Sequence, residues 1–157
     1  MRKITTFLMF NNQAEQAARF YTSVFKNSKV VSVDRFENAG PGGDMTVTSV
    51  EFVLDGVTFF AADGGPHFSF SEGMSLFVDC ETQEEIDKFW EKLSEGGEKG
   101  PCGWLKDQFG VSWQIVPSIL MKYLTDSDSE KAGRVMHAML QMGKLEISGL
   151  QAAYEGR

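Results

Sequence analysis

The sequence predicts an α+β fold made of a strand–helix–three-strand unit used twice. Three observations carry this prediction. Two amphipathic helical stripes, over residues 14–25 and 86–93, each follow a short strand-like run. Alternating, β-rich segments come after the first stripe, and two of them flank Asp55-Gly56, a dipeptide suited to a tight hairpin. The closing segments of the two halves also look alike: Gly56-Val57-Thr58-Phe59-Phe60 parallels Gly110-Val111-Ser112-Trp113-Gln114.

Taken in order, residues 4–10 are apolar and rich in Thr and Phe, which suits a strand. Asn11-Asn12, with Glu15 three residues after Asn12, reads as a capping-box-like helix start. Ala14, Ala17, Ala18, Tyr21, Val24 and Phe25 then share one helical face, leaving Glu15, Arg19 and Thr22 outside. Residues 29–36 alternate as a half-buried strand, and residues 37–44, with Gly40-Pro41-Gly42-Gly43, form a loop. Strands at 46–54 and 57–62 enclose the Asp55-Gly56 turn, and a second loop over 63–73 carries Gly64-Gly65-Pro66-His67-Phe68.

The pattern then recurs. A strand at 74–78 leads to a capping box of Thr82 and Glu85 and to the stripe Ile86, Phe89, Trp90 and Leu93. Gly96-Gly97 stops that helix, and short strands follow around 102–105 and 111–116, joined by a turn at 107–110. Beyond them come an apolar turn at 119–124, a stripe of Ala132, Val135, Met136, Met139 and Leu140, and a last short helix bearing Leu150, Ala153 and Tyr154. Asp126 and Asp128 precede the stripe, where a helix N-terminus favours negative charge.

Composition bounds the function. A chain of 157 residues fits one domain or two small halves sharing a core, and 42% apolar with 24% charged residues is ordinary for a soluble protein. A net charge of −7 argues against nucleic-acid binding, which needs clustered Lys and Arg. The lysines are scattered and the apolar runs short, so neither a membrane-surface patch nor a span is expected. Met1-Arg2-Lys3 leads into a strand rather than a secretory segment, and the two cysteines, Cys80 and Cys102, fit reduced thiols in the cytoplasm.

Candidate chemistry is sparse. His67 and His137 are the two histidines, and neither sits in a metal-ligand spacing. His67, in a Gly-Gly-Pro loop, is the candidate general acid or base, set against a loop histidine that merely bonds backbone. Cys102, in Gly100-Pro101-Cys102-Gly103-Trp104, is a candidate thiol set against a small buried hydrophobe, and Cys80 a weaker one. The Gly40-Pro41-Gly42-Gly43 loop joins two strands, so it is not a phosphate loop, which needs a strand entering a helix. The methionines of the tail read as core or dimer packing.

The repeat, with Phe20-Tyr21-Thr22-Ser23-Val24-Phe25, Gly64-Gly65-Pro66-His67-Phe68, Gly100-Pro101-Cys102-Gly103-Trp104-Leu105 and Asp107-Gln108-Phe109-Gly110-Val111-Ser112-Trp113-Gln114, resembles the vicinal oxygen chelate (glyoxalase, bleomycin-resistance and dioxygenase) superfamily. Within it the chain is similar to the PhnB-like branch catalogued under the name 3-demethylubiquinone-9 3-methyltransferase. The resemblance covers residues 3–117. It implies two βαβββ modules, about 3–63 and 74–117, forming a cupped eight-stranded mixed sheet, with residues 118–157 as a helical extension.

Metal-using members place ligands at positions that correspond here to Thr6, Phe60, residues 73–75 and Gln114. Gln114 alone among these ligates a divalent metal well, so no metal and no cofactor is expected. No glycine-rich strand-to-helix turn supports the methyltransferase name. Alternation is expected to point Thr6, Leu8, Phe60, Ser112 and Gln114 into the cup, with His67 near the rim and Cys102 or Trp104 along the second module's wall. The expected ligand is a small, partly apolar organic molecule, either turned over with His67 as acid or base or sequestered without product. A homodimer is the expected assembly.

Overall fold

The computed structural model describes residues 2–157. The chain divides into two units, one ending at Ser69 and the other comprising Phe70–Arg157.

The first unit runs β1 (Thr6–Phe10), α1 (Ala14–Val24), β2 (Lys29–Ala39), β3 (Met45–Leu54) and β4 (Val57–Asp63). Its sheet has the order β1-β4-β3-β2, with β1 parallel to β4 and the other pairs antiparallel. A parallel pair needs a crossover, and α1 begins it. The helix seats on the sheet through Ala14, Ala17 and Ala18, all fully buried, whose small side chains allow close approach. Tyr21 meets Phe52 with ring centroids 6.3 Å apart, and Phe52 stacks on Phe59 at 5.4 Å. Leu8, Phe10, Val50, Leu54 and Ala61 complete this core.

The hairpin forms as its sequence dictates, with Asp55 at φ 48° and Gly56 at φ 78°. Two details differ from the sequence reading. Strand β2 continues to Ala39 rather than stopping at Phe36, through register shifts at Val30/Ser32 and Phe36/Ala39. The start of α1 is not an Asn-Glu capping box. Asn12 takes a left-handed backbone (φ 64°), Gln13 is the N-cap, and its side chain makes no capping bond. The Ala14 N–H instead donates to Asp63 Oδ1 at 2.9 Å. The register explains it: Phe10 lies opposite Asp63, so the end of β4 arrives where α1 begins. Glu15 is committed to Arg19 at 2.9 Å and Arg35 at 2.5 Å.

The second unit runs β5 (Leu76–Cys80), α2 (Gln83–Ser94), β6 (Glu98–Lys99), β7 (Trp104–Lys106), β8 (Ser112–Pro117), α3 (Ile119–Leu124), α4 (Ser129–Leu140) and α5 (Ile147–Glu155). Its sheet order, β5-β8-β7-β6 with β5 parallel to β8, repeats the plan of the first. The fold is thus α+β: two four-stranded mixed sheets of βαβββ type, with extra C-terminal helices. Thr82 caps α2 by accepting from the Glu85 N–H at 3.2 Å, and the Glu85 carboxylate reaches back to the Glu81 N–H at 3.1 Å. Gly96, at φ 76°, ends it.

The strands of this unit sit up to two residues later than periodicity places them. Cys102 and Gly103 have φ of 57° and 84°, so they form a turn and β7 starts at Trp104. Strand β6, two residues long, is too short to show a period. Asp107 organises the next turn: its buried carboxylate accepts from the N–H groups of Phe109 and Val111 and from the Trp113 indole, at 2.8, 3.0 and 2.8 Å.

The C-terminal helices pack around Val116, Leu120, Val135, Leu145 and Leu150. The Gln83 side chain ties them to α2, accepting from the Ile147 N–H at 2.7 Å and donating to the Leu145 carbonyl at 3.0 Å. Tyr154 stacks on Tyr123 at 4.3 Å and donates its hydroxyl to Asp126 at 2.5 Å. No helix among the described residues is long and apolar enough to cross a membrane.

Two predictions follow from these contacts. Asp63→Ala is expected to cost about 1 kcal/mol in urea unfolding through loss of the α1 cap, within the usual range for a cap; an unchanged midpoint contradicts the capping role. The Tyr154 hydrogen bond holds the Asp126 carboxyl below its ordinary value and raises the Tyr154 hydroxyl. The Asp126 contribution to α5 docking is therefore present above the ordinary Asp range and lost as pH falls through the lowered value. The Tyr154 contribution is present below the ordinary Tyr range and lost as pH rises through the raised one. Near-ultraviolet circular dichroism is expected to show this acid loosening in the native chain and not in Tyr154→Phe.

Candidate ligand-binding faces

Strand register decides which side chains each sheet turns away from its helix. In the first unit Thr6 lies opposite Phe59 and Leu8 opposite Ala61, so both belong to the face that α1 covers. Phe7 lies opposite Phe60, and Phe60 opposite Glu51, on the helix-free face. Phe7 is half exposed, and its ring meets that of Phe60 edge-on at 6.4 Å. The expected inward set is corrected here. Thr6 and Leu8 do not share the face of Phe60, whereas Phe7 and Met9 do. The expectation counted alternation within β1 without the β1–β4 register, and a one-residue slip moves every side chain to the other face.

In the second unit Gln114 lies opposite Phe77 on one side and Trp104 on the other, so these three share a face. The intervening row, Leu105, Trp113 and Ile115, is buried on the α2 side with Ile86, Trp90 and Leu93. Gln114 donates from Nε2 to the Ser75 hydroxyl at 2.9 Å. Ser112 and Lys106 lie opposite each other in the same set. Lys106 pairs with Glu72, and their mutual hydrogen bond lowers the Glu72 carboxyl and raises the Lys106 ammonium, so both remain charged. Trp104 and Gln114 are thus brought together on one face.

His67 is exposed in the loop after β4, and no side-chain hydrogen bond orients it among the described residues. Cys102 is half-buried at the turn before β7, and its backbone N–H donates to the Met142 carbonyl at 2.8 Å while that of Gly103 donates to Gly143 at 2.8 Å. Its position is that of a turn residue holding residues 142–143. Cys80 is fully buried, and burial, then the nearby Glu85 and Asp79 charges, push its thiol up to about 12. The thiolate is therefore suppressed there.

The residues do not fit a metal centre of the superfamily's kind. No cluster of three or more His, Cys, Asp or Glu capable of holding an ion exists among the described residues. The helix-free face of the second unit offers the Gln114 amide and the Ser75 and Ser112 hydroxyls, poor donors for a closed divalent site, while the Glu72 and Asp79 carboxylates are engaged by Lys106 and Ser118. A methyl donor bound at a strand-to-helix turn does not fit either. The N-terminus of α1 holds the Asp63 carboxylate, and that of α2 is filled by Thr82. Two surface hollows lie elsewhere: a shallow groove of about 590 Å³ beside Arg134, His137 and Arg157, and one of about 410 Å³ beside Glu91, Lys92 and Lys99.

The family described as 3-demethylubiquinone-9 3-methyltransferase matches residues 2–116. The chain belongs to this family. Among solved structures it is similar to the PhnB protein of Bacillus cereus, which carries the same methyltransferase description. The two share 41% identity over 74% of this chain and 99% of that one, with a TM-score of 0.65. A Pseudomonas aeruginosa protein, PA1353, matches at 20% identity over 74% of this chain and 98% of that one, with a TM-score of 0.59. The fosfomycin resistance protein FosX of Listeria monocytogenes matches at 14% identity over 74% and 92%, with a TM-score of 0.53. These last two share the fold, that of the vicinal oxygen chelate proteins. No curated protein matches.

The two thiols give a direct check on the local geometry. Native protein at pH 8 is expected to take up a maleimide at Cys102 and not at Cys80, with both modified after unfolding, as read by peptide mass spectrometry. Native labelling of Cys80 contradicts its burial.

Proposed function

We propose that this PhnB-like chain binds a small, partly apolar organic molecule on the helix-free faces of its sheets, without a bound metal. The observation that carries the reading is the pairing of Gln114 with Trp104 and Phe77, a polar amide between two aromatic side chains on the face turned away from α2. Phe7 and Phe60 supply a matching aromatic surface on the first sheet. Aromatic walls with a few fixed polar groups are the usual make-up of a small-molecule site.

Sequestration without turnover is the second reading, and the state of His67 favours it. A general acid or base works from a fixed position, and His67 is exposed without an orienting partner. If turnover occurs, His67 is its acid or base, and His67→Ala abolishes it while leaving the fold intact. The binding role extends to a homodimer through the exposed Met121, Met136 and Leu140, and to a reducing compartment where both cysteines stay free. Sedimentation at a monomer mass removes the dimer.

Native mass spectrometry of untagged protein purified without chelators tests the reading. An organic adduct is expected, weakened about tenfold in Trp104→Ala or Phe60→Ala, as for truncation of an aromatic anchor. A stoichiometric divalent metal in place of an organic adduct contradicts it.

A further inference from the structure

The first unit's sheet carries negative charge that the fold does not use. Its register lines up Phe7, Phe60, Glu51 and Ser32 in one row across β1, β4, β3 and β2, with Met9, Ala62, Ser49 and Asp34 in the next. Directly paired residues share a face, so both rows lie on the face turned away from α1. Glu51 and Asp34 stand diagonally across β3 and β2, about 7 Å apart. Neither carboxylate has a hydrogen bond or ion pair among the described residues. We infer that this face takes an organic cation, a protonated amine carried on an aromatic or apolar body. The inference rests on the binding reading above and gives the charge of the molecule bound.

The neighbours of the two carboxylates define the chemistry. Arg35, opposite Thr48, belongs to the α1 side and spends its guanidinium on Glu15. The other cation of the sheet's strands is Lys29, opposite Val53 on the carboxylate face, and it forms no ion pair among the described residues. Two like charges repel, and a bound cation relieves that repulsion. The Ser32 and Ser49 hydroxyls also accept hydrogen bonds, so an ammonium meets acceptors on both strands. On the other side of Glu51, one strand spacing of about 4.8 Å away, Phe60 begins an aromatic surface that continues to Phe7. That separation suits a ring joined to an ammonium by a two-carbon tether. The loop after β4 adds a third ring, because Met9 Cε and the Phe68 ring both crowd the position a β-carbon on Gly64 would take. The surface is open to solvent: Phe7, Ser32 and Asp34 are exposed, and Phe60, Ser49 and Glu51 are half-buried. A metal ion suits it poorly, since no third His, Cys, Asp or Glu joins the pair among the described residues. The chain's net charge of −7 also favours the approach of cations.

The test titrates the full ¹⁵N-labelled chain with three probes of one shape: 2-phenylethylammonium, neutral 2-phenylethanol and anionic 3-phenylpropanoate. The ammonium is expected to shift the amide resonances of Ser49, Glu51 and Phe60 saturably and to bind about fivefold more tightly than the alcohol, as for one solvent-accessible ion pair. Glu51→Gln with Asp34→Asn is expected to abolish that preference while leaving the alcohol's affinity unchanged, which also shows that the variant is folded. Added salt is expected to weaken the ammonium and not the alcohol. If the alcohol binds this face as tightly as the ammonium, or the preference survives in the double variant, the cation inference falls and the binding reading stands. Tighter binding of 3-phenylpropanoate overturns the sign of the charge. If no probe shifts resonances on either helix-free face, both fall.

Discussion

A four-stranded sheet has two faces, and one amphipathic helix covers one of them. Each unit joins its first and last strands in parallel, β1 with β4 and β5 with β8, and the crossover carries a helix onto a single side. That side becomes core: Tyr21, Phe52 and Phe59 in the first unit, Ile86, Leu93 and Ile115 in the second. The opposite faces carry Phe7 and Phe60, and Phe77, Trp104 and Gln114. The functional proposal follows from what those second faces present, because core packing does not determine it.

Two carboxylates hold this arrangement in place from inside each unit. Asp63 joins the end of β4 to the start of α1, so the helix sits where the parallel pair delivers it. Asp107 gathers three donors at the turn into β8, and its bond to the Trp113 indole fixes that side chain on the α2 side. With Trp113 held there, pleating sends Ser112 and Gln114 to the other face. In the second unit Gln83 and the Cys102-Gly103 turn fasten residues 142–147, so the C-terminal helices brace α2 and the β6–β7 turn.

The repeated βαβββ plan was legible because its signals are local. Helical stripes, the Thr82–Glu85 cap and the Asp55-Gly56 turn each act over a few residues. The turn at 107–110 was legible for the same reason, and the pairing of Trp104 with Gln114 across it emerges from the strand register. The features that escaped depend on distant partners. Asp63 caps a helix 49 residues away in sequence, and nothing near Asn12 announces it. The misplacement of Thr6 has the same origin, since the register of β1 against β4 is a tertiary fact. Ser112 was expected to face inward, but its hydroxyl is fully buried without a partner among the described residues, a property of three-dimensional packing that no periodicity encodes.

The central claim is that small molecules collect on the helix-free faces. Crystals soaked in phenol and in 2-propanol, followed by diffraction, test it most directly. The account predicts probe molecules against Trp104 and Phe77, or against Phe7 and Phe60, with an oxygen near Gln114 in the second unit. Probes gathered in the groove beside Arg134 and His137, with both helix-free faces bare, contradict it.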